Sequence, residues 1–179
     1  KDGQGLQLLE ELGSGGGGNA DVKESEEGGS EGMRVELPAV DRMVERMDVA
    51  VAMAARQIPE LRDRRALLVR SKVMLTCYPG QGSAYVRHVD NPNRNGRVLT
   101  AILYLNPDYN PATDGGQIRL FVREGGAVEG KEEAFDVEPL LNRLLLFWSD
   151  KRVPHEVLPS SRERYAVTVW YSDAESMSG

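Results

Sequence analysis

The chain has 179 residues, a formal net charge of −6, 40% apolar residues and 28% charged ones, which is room for one domain with a packed core and the composition of an ordinary globular protein. The negative balance argues against a nucleic-acid binder that works through a general basic field, and the longest apolar runs are strand-sized, so no membrane-spanning helix is expected. Cys77 is the only cysteine; it excludes an intrachain disulfide, fits a reducing compartment such as cytoplasm or nucleus, and reads as a small buried strand residue. A start at Lys1 in place of methionine suggests a fragment of a longer protein.

Residues 1–36 open on the apolar cluster Leu6-Gln7-Leu8-Leu9, which suggests a helical turn or two. From Gly13 to Gly32 the chain is Gly, Ser, Glu, Asp and Asn with almost nothing to bury, so a poorly ordered Gly/Ser/Glu-rich segment is expected, a surface insertion in preference to a flap over a site. From Leu37 the pattern turns helical: Val40, Met43, Val44, Met47, Val51, Ala54 and Ile58 recur at spacings of three and four and form one apolar stripe. Pro38 suits the first turn, and Pro59 with the charged run Glu60 to Arg65 ends the helix. The methionine-rich stripe is expected to pack on the domain's own sheet. Arg56, Arg62, Arg64, Arg65 and Arg70 alternate with acids and apolar residues and read as a solvated face.

Beyond Ser71 the period switches to two. Val73 to Tyr78, Ala84 to Val89, Val98 to Leu105, Gln117 to Val122, Ala134 to Val137, Arg143 to Phe147, His155 to Leu158 and Tyr165 to Tyr171 read as short strands. They are separated by turn signals: Pro79-Gly80, Asn91-Pro92-Asn93, Asn106-Pro107, Asp114-Gly115-Gly116, Gly125-Gly126 and Pro159-Ser160. The predicted fold class is mainly β, a double-stranded β-helix (jelly-roll) core with supporting N-terminal helices.

Only two histidines are present, and one of them, His88, precedes Asp90 by two positions. On a strand, i and i+2 leave the same face, so both side chains can grip one metal ion. His155 is the evident third ligand, too far along the chain for a local zinc clip. Two imidazoles and a carboxylate form the facial set that holds non-haem Fe(II) and leaves the opposite side open, although the same three groups also suit a catalytic zinc. On the last strand the alternation puts Arg164, Ala166, Thr168 and Trp170 on one face, and Tyr165, Val167, Val169 and Tyr171 on the other. A guanidinium facing inward needs an anion, and a small dicarboxylate would supply one in bidentate geometry, with the hydroxyl of Tyr104 able to donate to the same carboxylate. The alternative is an Arg164 paired with Asp or Glu at the barrel's edge.

These residues stand in blocks that resemble the intracellular prolyl 4-hydroxylases, Fe(II)- and 2-oxoglutarate-dependent oxygenases that modify hypoxia-inducible factor in animals and a ubiquitin-ligase adaptor in many protists. The blocks are Cys77-Tyr78-Pro79-Gly80, Tyr85-Val86-Arg87-His88-Val89-Asp90-Asn91-Pro92, Tyr104-Leu105-Asn106, Phe147-Trp148-Ser149-Asp150, Pro154-His155-Glu156-Val157 and Arg164 to Tyr171. The resemblance runs from about Lys72 to Asp173 and makes 37–179 a catalytic domain. It implies iron on His88, Asp90 and His155, and the distal carboxylate of 2-oxoglutarate on Arg164 and Tyr104. Tyr78 would sit near the chelating end of that co-substrate, Met74, Ile102, Ile118, Thr168 and Trp170 would line the pocket, and Arg97 and Trp170 would meet the substrate. O2 is the second co-substrate, ascorbate a further requirement, and the partner a protein that presents a proline. A monomer is expected, with neither nucleic acid nor membrane as partner. The collagen-modifying relatives usually carry lysine where Arg164 stands, which favours the intracellular branch.

The sequence departs from the animal enzymes in a longer segment from Gly125 to Glu133 and in an N-terminal region that does not align, and substrate identity is left between the two protein classes. The low-complexity insertion inclines the reading slightly to the adaptor. Two competing functions are an oxygenase of the same scaffold acting on another side chain or a small molecule, and a catalytically silent cupin-like binding module.

Overall fold

A computed structural model describes residues 7–12 (as backbone), 38–62, 68–93, 95–123 and 131–173. Two antiparallel sheets face each other, as the alternating strand pattern predicts. The larger takes β1 (Gln7–Leu12), β3 (Val73–Pro79), β10 (Glu163–Asp173), β5 (Arg97–Tyr104) and β8 (Leu144–Trp148) in that order, with β2 (Leu68–Arg70) also paired to β10. The smaller runs β4 (Ser83–His88), β9 (His155–Ser160), β6 (Ile118–Arg123) and β7 (Glu132–Val137).

Helix α1 (Pro38–Gln57) lies on the outer face of the larger sheet. Its stripe is the expected one but for one position: Val44, Met47 and Val51 are buried against Leu99, Ala101, Val167, Val169 and Tyr171, and in the next turn Ala55 takes the inward place expected of Ala54. Each aliphatic side chain fully buried there contributes about 1.5–3 kcal/mol. Asp48 adds a polar clasp, accepting from the Tyr171 hydroxyl at 2.7 Å and from Arg70 Nε at 3.1 Å. Pro59 ends α1 and begins a one-turn helix, α2 (Pro59–Arg62). A second core, of Ile102, Tyr104, Ile118, Leu120, Phe147, Val153 and Ala166, fills the space between the sheets. β10 serves both cores, since its odd-numbered residues meet the helix and its even-numbered ones the inter-sheet space.

Gln7–Leu12 is a strand paired to β3, where Leu6 to Leu9 had suggested helical turns: an edge strand completes its hydrogen bonds on a neighbour far along the chain, which a four-residue apolar cluster does not reveal. The Gly13–Gly32 stretch, Arg64, Arg65 and most of the Gly125–Glu133 segment lie outside the described residues. Arg70, read as part of a solvated face, is instead held by Asp48. A further short helix, α3 (Pro111–Asp114), follows an Asn110 side chain that accepts from the Ala112 amide.

Candidate active site

Strand pairing brings the two imidazoles together. His88 closes β4, His155 opens β9, and the register sets one directly opposite the other. A register shift between Tyr85 and His88 turns both side chains into the space between the sheets, although an odd spacing on a regular strand would part them. Asp90 lies just past the end of β4, so the strand alternation that placed it beside His88 is not what holds it there. Its backbone carbonyl accepts from Arg97 Nη1 at 3.2 Å, the next amide, of Asn91, donates to the Ser149 carbonyl at 2.8 Å, and its Oδ2 accepts from Thr100 Oγ1 at 2.6 Å.

That arrangement leaves Asp90 Oδ1 3.6 Å from His88 Nε2 and 3.8 Å from His155 Nε2, with the ligand atoms of all three residues within 4.8 Å of one another. His88 Nδ1 lies 2.9 Å from the Val86 carbonyl and His155 Nδ1 3.2 Å from the Val153 carbonyl. A carbonyl only accepts, so each Nδ1 carries the proton and each Nε2 lone pair is directed at the common point. Burial lowers the His155 pKa and keeps that ring neutral. Burial also opposes charge on His88 and Asp90, but the attraction between the two neighbouring groups outweighs it, with further help from the Val86 carbonyl for the one and from His155 and Thr100 for the other. The result is a raised imidazole and a lowered carboxyl. A neutral ring, a ring paired to a carboxylate and an ionised carboxylate are what a divalent cation takes as ligands.

The triad opens on a cavity of about 460 Å³ lined also by Met74, Tyr78, Arg97, Ile102, Ile118, Arg164, Thr168 and Trp170, within the range of roughly 300–1,000 Å³ usual for small-molecule sites. Arg164 is 2% exposed, its Nε donates to the Gly116 carbonyl at 2.7 Å, and its guanidinium carbon lies 4.9 Å from the Tyr78 ring and 5.0 Å from the Tyr104 ring. Among the described residues no carboxylate pairs with it, so the alternative of an Asp or Glu partner is not what the fold builds. Tyr104 is fully buried behind Arg164 and does not itself line the cavity; its hydroxyl has no hydrogen-bond partner among the described residues. Burial pushes the Tyr78 phenol up to about 12, partly offset by the Arg164 charge. Arg97 stacks on Trp170, 4.3 Å from the ring centroid, so these two form one unit beside Asp90.

Sequence reasoning gave no role to Thr100, which clamps Asp90 and stands 2.8 Å from Ser149 Oγ, nor to the Gly116 carbonyl, which holds Arg164. Thr100 shares the phase of Ile102 and Tyr104 on β5 and so could have been placed on the cavity face. A backbone acceptor leaves no such signal.

The 2OG-Fe(II) oxygenase superfamily matches residues 73–172. Prolyl hydroxylase EGLN3 of Mus musculus is 57% identical over 106 residues, covering 59% of this chain and 42% of its own length, so the chain spans less than half of that curated relative. A Trichoplax adhaerens prolyl hydroxylase, solved in complex with a hypoxia-inducible factor oxygen degradation domain peptide fragment, is 39% identical with a TM-score of 0.66, covering 78% of this chain and 58% of that one. A Pseudomonas putida prolyl-4-hydroxylase is 35% identical with a TM-score of 0.60, covering 77% and 67%. Facing sheets, a His-Asp-His cluster and a matched span that includes every residue of the cavity wall lead to one assignment: the chain belongs to the 2OG-Fe(II) oxygenase superfamily.

Proposed function

We propose that this chain carries the catalytic domain, 37–179, of a prolyl 4-hydroxylase that uses Fe(II), 2-oxoglutarate and O2 to hydroxylate a proline in the degradation region of a hypoxia-inducible factor, in oxygen sensing. The observation that carries it is the meeting of His88, Asp90 and His155 in one cavity with a buried guanidinium that no carboxylate among the described residues neutralises. The relatives' names favour hypoxia-inducible factor over the ubiquitin-ligase adaptor to which the low-complexity N-terminus inclined the sequence reading.

The residues fit both cofactor and co-substrate. Two imidazole nitrogens and one carboxylate oxygen are the donor set of a non-haem Fe(II) site, and the thiolates that a structural zinc would favour are missing from it. The Tyr104 hydroxyl, without a partner among the described residues, stands beside Arg164, whose terminal nitrogens meet no carboxylate among them, a polar arrangement that a carboxylate would satisfy. Bound there, Fe(II) would activate O2, the oxidant, with 2-oxoglutarate as the co-reductant that ends as succinate and carbon dioxide; one oxygen atom would go to succinate and the other to C4 of the proline, and ascorbate would keep the metal reduced.

The chain's own part is placement. Thr100 fixes one oxygen of Asp90 and so turns the other toward the imidazoles. Arg164 holds the far carboxylate of the co-substrate, the Tyr104 hydroxyl reaches it only if the ligand enters as deep as that buried ring, and Tyr78, neutral at physiological pH, donates nearer the metal. Met74, Ile102, Ile118 and the Thr168 methyl give the pocket dry walls, which strengthens each charge-assisted hydrogen bond inside it. Arg97, stacked on Trp170, presents the substrate peptide beside the metal site. The lone Cys77, which fits a reducing compartment, supports a cytoplasmic or nuclear location.

The test is incubation with Fe(II), 2-oxoglutarate, ascorbate and a peptide from the hypoxia-inducible factor degradation region, with an adaptor peptide in parallel. A mass gain of one oxygen mapped to proline in the first peptide, with succinate formed in step, is expected. Hydroxylation of another side chain, or of the adaptor peptide alone, rejects the proposed substrate, and succinate formation with neither peptide rejects the activity.

A further inference from the structure

Arg164 does not aim itself. Its side chain enters the inter-sheet space from β10, and a guanidinium on four rotatable bonds needs a second fixed point if its terminal nitrogens are to face one place. That point is the turn between α3 and β6. Gly116 accepts from Arg164 Nε at 2.7 Å, and Gly116 stands at φ +69°, where a Cβ would lie 3.0 Å from Arg164 Cδ and 2.7 Å from the Tyr109 hydroxyl. Gly115, also at φ +69°, would drive a Cβ to 2.3 Å from the Pro159 carbonyl. Both positions need glycine for conformation and for closeness of approach.

The turn is itself sewn to the strand connection that leads into Arg164. Gly116 N donates to the Pro159 carbonyl at 2.9 Å, Ser161 N donates to the Asp114 carbonyl at 2.8 Å, and Gly115 bridges Ser160. Behind it runs a buried hydroxyl relay: Ser160 Oγ donates to the Arg162 carbonyl at 2.7 Å, so the Tyr109 hydroxyl, 2.8 Å away, donates to Ser160 Oγ. The backbone that carries Arg164 and the backbone that holds its Nε thus form one rigid piece.

We propose that the Gly115–Gly116 turn is the positioning element for the co-substrate anchor: it takes the Nε proton of Arg164, leaves the two terminal nitrogens for a carboxylate, and fixes how far from the metal a dicarboxylate's far end must lie. The inference rests on the reading of Arg164 as the 2-oxoglutarate anchor. It assigns to a pair of glycines that touch no ligand a share in selecting the length of the acid that binds.

Gly116→Ala pushes on Arg164 Cδ and on the Tyr109 hydroxyl of the relay without removing any polar group. Binding is read by calorimetry on the Mn(II)-loaded protein, with 2-oxoglutarate and with 2-oxobutyrate, which keeps the keto-acid end and lacks the far carboxylate. The expected result is 2-oxoglutarate binding weakened roughly tenfold, equivalent to about 1.4 kcal/mol, with 2-oxobutyrate and Mn(II) affinities unchanged and no additional weakening when Gly116→Ala is added to Arg164→Lys. Equal loss for both acids, or equal loss in the Arg164→Lys background, marks a general structural effect and overturns the proposal. Should Arg164→Lys alone leave 2-oxoglutarate binding intact, the anchor assignment fails first; should it weaken binding while Gly116→Ala does not, only the role of the turn fails. If Gly116→Ala does not fold, Tyr109→Phe is measured in the same way: weakening confined to 2-oxoglutarate supports the proposal, and unchanged binding overturns it.

Discussion

Thr100 gives the sharpest quantitative prediction, because its single proton has an unambiguous destination. Asp90 Oδ2, an acceptor only, lies 2.6 Å from Thr100 Oγ1, so the proton goes there and Ser149 Oγ, 2.8 Å from the same oxygen, must be the donor to Thr100. Thr100→Val keeps the shape and β-branching of the side chain and removes only the hydroxyl. The hydrogen bond lost is to a charged group, worth about 1.5–3 kcal/mol, which converts to roughly ten- to a hundredfold in binding. The same range is found when residues that orient metal ligands are removed. Metal affinity is measured anaerobically by competing the protein against a chromophoric chelator for Fe(II) and Mn(II), with circular dichroism to establish that the variant folds. The loss should appear in metal affinity, while 2-oxoglutarate affinity at saturating metal stays near that of the parent. A folded Thr100→Val protein that binds Fe(II) within about twofold of the parent would refute the claim that this hydroxyl sets the carboxylate.

Arg164→Lys should raise the 2-oxoglutarate requirement by about tenfold or more through loss of the planar fork, with peptide KM little changed; steady-state kinetics in both substrates separate the two. Arg97→Gln, which removes the cation from the Trp170 face and a donor from the Asp90 carbonyl, is expected at saturating Fe(II) to raise the peptide KM by about fivefold, an effect of the size of a partly exposed cation–π contact of about 1 kcal/mol. Asn106 is 2% exposed, donates to the Pro139 and Tyr165 carbonyls and accepts from the Tyr165 amide at 2.6 Å. Asn106→Ala should therefore lower stability in urea unfolding by about 2–4 kcal/mol, since it removes the partner of the Pro139 carbonyl and of the Tyr165 amide at once, while the Tyr165 carbonyl keeps the Leu105 amide. Burial raises the Tyr78 phenol to about 12, and an acid whose pKa is raised stays neutral to higher pH. Titrating 2-oxoglutarate binding through the ordinary tyrosine range near 10 should accordingly show no step that Tyr78→Phe removes.

Much of the architecture was legible because its signals are periodic. The stripe from Val40 to Ile58 is α1, and the eight alternating runs are eight of the ten strands among the described residues, with ends displaced by a residue or two. The alternation on β10 separated Arg164 and Ala166 from Val167, Val169 and Tyr171 correctly, because a buried strand between two cores has a fixed phase. β2 was missed: Leu68-Val69-Arg70 is too short to show a period and is a strand only through its pairing with Tyr171 to Asp173.

The site was legible to the extent that function depends on side-chain chemistry. Two histidines, one nearby aspartate and one inward arginine pointed to the cavity. The reason given for Asp90 needed revision, since it lies past the end of β4 and owes its position to Thr100, Arg97 and the Ser149 carbonyl. These contacts span ten residues or more in part and form only when β5 and β8 come alongside. The hold of Gly116 on Arg164 was invisible for a stronger reason. Asp114-Gly115-Gly116 reads as a turn from composition alone, and nothing in a glycine tells which carbonyl will meet which guanidinium.

The most direct measurement is anaerobic visible spectroscopy of the protein with Fe(II) and 2-oxoglutarate, following the charge-transfer absorption that arises only when the keto acid chelates iron on the protein. The account predicts a band that saturates at one Fe(II) per chain, vanishes in Asp90→Ala and in His155→Ala, and in Arg164→Lys returns only at higher 2-oxoglutarate. An undiminished band in either ligand variant, or one whose dependence on 2-oxoglutarate is indifferent to Arg164, would contradict it.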